Sequence, residues 1–217
     1  MEIICLSIPY ILQQLSCLNL TECRCLTVIE SKAPNLSSFY FRGYMVQFLL
    51  DSTLQMKKLN LHHPNLVHYA RAEMPSTMPN LETLHIGSGC EMTQRCMENE
   101  SVFADCDWRH IPEHRHGYLK NVKVTGFNSA KGLVEQACYI LKNTVSLEFL
   151  TLDTIYCDIR CYLSISIRCD RMSEDILVQA RRSVVTIRTY IEDEVPSTVK
   201  FTILDPSSRC HVRGFKV

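Results

Sequence analysis

Six short segments of this chain carry apolar residues in the pattern Leu-x-x-Leu-x-Leu, and that recurrence limits the fold more than any other feature. They are Leu15-Leu18-Leu20, Leu36-Phe39-Phe41, Met56-Leu59-Leu61, Leu81-Leu84-Ile86, Leu119-Val122-Val124 and Leu147-Leu150-Leu152. Their first positions are 21, 20, 25, 38 and 28 residues apart. Alternating apolar positions suit a strand with one buried face. A period of about 20–29 residues is that of a leucine-rich repeat, one strand and one return segment per turn. Only the 38-residue interval needs an inserted loop.

The approach to each strand also repeats. Ala33-Pro34-Asn35-Leu36 and Met78-Pro79-Asn80-Leu81 share Pro-Asn-Leu, and Asn143-Thr144-Val145-Ser146-Leu147 stands in the same place. Proline disfavours a helical conformation in the residue before it, so a return segment ends there and a strand begins. Between 114 and 153 the unit reads strand, helix, strand. Gly126-Phe127-Asn128 breaks the first strand, and Ala130, Leu133, Val134, Ala137, Cys138 and Leu141 make one helical stripe. Asn128 or Ser129 is expected to cap that helix. Ser173-Glu174-Asp175 opens another helix, with acids in its first turn and Arg181-Arg182 later. Val199 to Ile203 alternates like a closing strand.

These elements predict an α/β leucine-rich-repeat solenoid, horseshoe-like, with parallel strands and irregular helical returns, closed by a C-terminal helical cap and a final strand. Residues 1–155 form the repeats, with an inserted polar loop near 88–112, and 156–217 form the cap. In such a solenoid the third, fifth and seventh residues of each strand segment face outward on the concave side. One row is Cys17, Ser38, Lys58, Thr83, Asn121 and Phe149. The next is Asn19, Tyr40, Asn60, His85, Lys123 and Thr151. The last is Thr21, Arg42, His62, Gly87, Thr125 and Asp153. A mixed polar surface with aromatic and cationic anchors is what protein binding uses.

Composition removes other classes. The chain has 23 basic and 23 acidic residues, so no net field attracts nucleic acid or an anionic membrane. With 7 glycines it has neither GxGxxG nor GxxxxGK[ST], and no motif asks for a cofactor. The 12 cysteines include no Cys-x-x-Cys pair, and the apolar start lacks a basic region ahead of it. Free thiols in a reducing compartment, cytoplasm or nucleus, follow. Cys96, Cys106, His110, His114 and His116 share one polar stretch and form the candidate zinc set, although their spacing fits no common finger. A Cys–His nucleophile would need a third, orienting group; with 12 Cys and 8 His no pairing is singled out, and no enzyme is expected.

EHRHGYLKNVKVTGF, the helix with Glu135, NTVSLEFLTLD, MPNLETLHIGSG and IRTYIEDEVPSTVKFTILDP together resemble the C-terminal repeats of plant F-box/leucine-rich-repeat proteins of the FBD-associated type. The likeness runs from about residue 15 to 210. It implies the target-recognition part of a Skp–cullin–F-box ubiquitin ligase. The F-box segment is not found here, so contact with the ligase scaffold would need an F-box supplied elsewhere. The family's asparagine-ladder position holds Cys23, Pro64, Gly89 and Phe127. Two other readings stand beside recognition of an unknown protein target: a zinc module on the Cys96–His116 loop, and a truncated chain. The last would expose core leucines in its first turn and dissolve poorly.

Overall fold

The computed structural model describes residues 4–23, 25–44, 46–50, 54–62, 78–87, 115–156 and 172–206. Along the chain these form β1 (Cys5–Ile8), β2 (Cys17–Thr21), β3 (Val28–Ser31), β4 (Ser38–Arg42), β5 (Gln47–Leu50), β6 (Lys58–His62), β7 (Thr83–Gly87), β8 (Asn121–Thr125), α1 (Lys131–Asn143), β9 (Phe149–Asp153), α2 (Glu174–Tyr190) and β10 (Lys200–Leu204).

Seven strands build one sheet in the order β10-β9-β8-β7-β6-β4-β2. Each neighbouring pair is parallel and without slip: Leu18, Phe39, Leu59, Leu84, Val122, Leu150 and Phe201 lie on one line of partners. From Phe39 to Leu150 that line is at most 3% exposed. The recurring leucines therefore share one interior, as the repeat reading requires. Fully burying an aliphatic side chain contributes roughly 1.5–3 kcal/mol, so each turn is held chiefly by its neighbours.

The early return segments differ from expectation. They are strands, not helices: β1, β3 and β5 make a second parallel sheet behind the first. Phe48 on β5 packs edge-on against Phe39 and Phe41, with ring centres 5.6 and 5.3 Å apart, and ties the two sheets together. Length explains the change. A strand advances about 3.3 Å per residue and a helix about 1.5 Å, so a short return crosses the turn more readily as a strand. The longer return between β8 and β9 has room for α1.

Leu133, Ala137, Ile140 and Leu141 bury the inner face of α1. Its start lies one residue past Ser129 and two past Asn128, the two expected caps. Ala130 is the capping residue and has no polar side chain, while the Asn128 side chain accepts from the Ala130 N–H at 2.9 Å. Gly126 has φ 72°, a left-handed conformation that glycine takes without strain, and it turns the chain out of β8. The Ser173 hydroxyl caps α2 by accepting from the Ile176 N–H. After α2 the chain returns to the main sheet, where β10 pairs with β9 as a seventh rung. The stretch expected to be an inserted loop, 88–112, lies outside the described residues. No helix among the described residues is long and apolar enough to cross a membrane.

Pro-Asn-Leu has a structural reason. The Asn35 side-chain amide donates to the Gln13 carbonyl at 2.7 Å, and Asn80 does the same to Leu54 at 2.8 Å. Each asparagine thus ties its turn to the one before, just ahead of the strand. Replacing Asn80 by alanine is expected to cost about 1 kcal/mol. Asn35→Ala should add a similar, independent amount, because the two sites share no partner. Urea unfolding of the single and double variants checks both.

Candidate functional site

The in-register sheet sets the site. Its face away from the core carries Cys17, Ser38, Lys58, Thr83, Asn121 and Phe149 as successive partners, and Asn19, Tyr40, Asn60, His85, Lys123 and Thr151 as the next row. Neighbouring strands lie about 4.8 Å apart, so these rows run across the sheet as continuous bands. All of them but Asn19 line an open cavity of about 530 Å³. Lys58 and Phe149 are exposed, while Tyr40, Asn60, His85, Asn121, Lys123 and Thr151 are half-buried.

The third row is placed otherwise. Thr21 is exposed and Arg42 half-buried, but His62, Gly87, Thr125 and Asp153 are buried and do not face solvent as expected. His62 stands edge-on to His85 at 4.7 Å and lies 5.9 Å from Tyr40 and 6.2 Å from Tyr156. Tyr156 follows β9, three strands from β6, so the chain leaving β9 comes back over this end of the sheet. The Asp153 carboxylate accepts from the Ile155 N–H at 3.1 Å, and the Thr125 hydroxyl donates to the Ile86 carbonyl. The open surface is two rows deep.

Sequence reading missed two participants. Lys200 extends the first row onto β10, with its ammonium 5.9 Å from the centre of the Phe149 ring. Counting the strand phase into Lys200–Leu204 would have found it. Tyr156 lies in no repeat and left no such signal. Along the flank, Lys57 pairs with Glu82 at 3.2 Å and Lys120 with Glu148 at 3.1 Å. These exposed pairs contribute at most about 1 kcal/mol each.

Among the described residues no three His, Cys, Asp or Glu side chains are grouped to hold a metal ion. Of the candidate zinc set, Cys96, Cys106, His110 and His114 lie outside the described residues. His116 is buried, and its backbone N–H donates to the Asn143 carbonyl at 2.8 Å. Burial pushes the Cys138 thiol above its ordinary range, the reverse of what a nucleophilic cysteine needs.

Against known families, the chain matches the model described as the At1g61320/AtMIF1 LRR domain, over residues 1–100 and 92–208. Neither a curated protein nor a solved structure matches it.

Proposed function

The chain belongs to the At1g61320/AtMIF1 leucine-rich-repeat domain family, and on that premise we propose that it is a non-catalytic module that recognises a protein through the outer face of its seven-stranded sheet. One observation carries the reading: two rows of polar, aromatic and cationic side chains run unbroken across six strands, and all of them but Asn19 line one open cavity. Interfaces draw most of their energy from a few aromatic and cationic anchors, and Tyr40, Lys58, Lys123 and Phe149 are of that kind. Solenoids offer such extended faces to partners.

Affinity capture with the whole chain, compared with its Tyr40→Ala/Lys123→Ala variant, tests this. The double variant is expected to lose its specific partner at least tenfold, because anchor truncations typically cost about 2 kcal/mol or more. A partner retained by the variant at full strength places recognition elsewhere.

The finer reading is the target-binding part of a Skp–cullin–F-box ligase. It rests on the sequence resemblance, together with membership of a repeat family. A captured partner whose turnover depends on this chain and on cullin activity supports it. Unchanged turnover removes the ligase role and leaves recognition intact.

A further inference from the structure

Neither outward row holds a carboxylate. Continued onto β10, the first row ends in Lys200 and the second in Thr202. Across seven strands the two rows carry lysine, polar and aromatic side chains and no aspartate or glutamate, in a chain with 23 acidic residues. The neighbouring acids are engaged elsewhere. Glu82 and Glu148 stand one residue before the first row and pair with Lys57 and Lys120. Asp153, past the second row, is buried and accepts from the Ile155 N–H. Among the described residues no carboxylate is paired with Lys58 or Lys200. A concave surface lined by one sign of charge concentrates its field, here a positive one.

The lysines are also spaced. Lys58, Lys123 and Lys200 stand on β6, β8 and β10, every second rung of the sheet, and they alternate between rows: first, second, first. Two rungs measure roughly 10 Å, which an extended chain crosses in about three residues at ~3.3 Å each. In an extended chain, side chains three apart point to opposite sides. A strand laid along the line between the two rows would therefore turn every third side chain to the row that holds the next lysine. Phe149, 43% exposed, and half-buried Tyr40 offer apolar surface along the same line. A nucleic-acid strand fits less well: it brings a charge with each nucleotide and stacks its bases on a series of aromatic rings, and Phe149 is the one exposed ring in these rows.

We propose that the partner presents an extended acidic segment to this face, its carboxylates about three residues apart on Lys58, Lys123 and Lys200, with apolar residues between them against Tyr40 and Phe149. This rests on the reading of the outer face as a protein-binding surface.

Fluorescence anisotropy of the whole chain with a labelled peptide of four Glu-Val-Thr repeats tests it; the β-branched residues favour an extended probe. Saturable binding is expected, at least about tenfold tighter than for the Gln-Val-Thr counterpart and weakening as salt rises, because exposed charges are screened. Lys58→Gln/Lys200→Gln should weaken it about tenfold with circular dichroism unchanged. Lys131→Gln, an exposed charge on α1, should leave it as it was. Equal binding of the Glu and Gln probes, or tighter binding of a twelve-nucleotide oligothymidylate, overturns the proposal. The captured partner separates this proposal from the reading beneath it. A partner lost by Tyr40→Ala/Lys123→Ala but kept by Lys58→Gln/Lys200→Gln and at high salt overturns the acidic segment and leaves the face standing. A partner kept by both double variants overturns the face as well.

Discussion

Phe41→Ala is expected to destabilise the protein by about 3–5 kcal/mol, the range for emptying a large aromatic site in a packed core. Phe41 is fully buried and meets the Phe48 ring edge-on, so it belongs to the main sheet and braces the second one. Its loss removes contacts from both layers, and neither sheet can collapse inward while the adjacent rungs hold it apart. A domain of ordinary stability has about 5–15 kcal/mol in all, so much of the total is at stake. Phe149→Ala supplies the comparison: that ring is 43% exposed on the outer face, and its removal should cost less than about 1 kcal/mol. Equilibrium denaturation of both variants decides the matter. Similar losses would mean that the space between the sheets is not the main core.

Gly87→Ala is expected to cost about 1–3 kcal/mol, as overpacking a full site does. A methyl group at this position would overlap the His62 imidazole. That ring is buried beside His85, Tyr40 and Tyr156, so it has little room to withdraw. The glycine is therefore required by its neighbour's volume. A double-mutant cycle isolates the cause. In a His62→Ala background the same glycine substitution should cost less than about 0.5 kcal/mol. An equal penalty in both backgrounds would locate the strain elsewhere.

The main sheet was legible because its evidence is periodic. Leu59, Leu84, Val122 and Leu150 recur at one phase, and phase alone decides which face of a strand is buried. Lys58, Asn121 and Phe149 followed from the same count, and they do share a row. The second sheet was not legible. VIES and QFLL are four residues each, too short for a period to separate strand from irregular return. The burial of His62 was also hidden, because Tyr156, which packs beside it, belongs to chain that follows another strand. The α1 cap was misplaced by local chemistry: Asn128 uses its side chain on the Ala130 N–H within a turn, and a caplike residue can do that without being the cap.

The absence of slip between rungs has a consequence for how such a chain can vary. Ser38 stands opposite Lys58 across a 20-residue turn, and Thr83 stands opposite Asn121 across a 38-residue one. The alignment is indifferent to how much chain is spent between strands. Insertions in a return can thus accumulate and be lost while the outer rows stay matched, and single outward residues can be exchanged without disturbing the leucines beneath. Scaffold and surface are free to drift at separate rates.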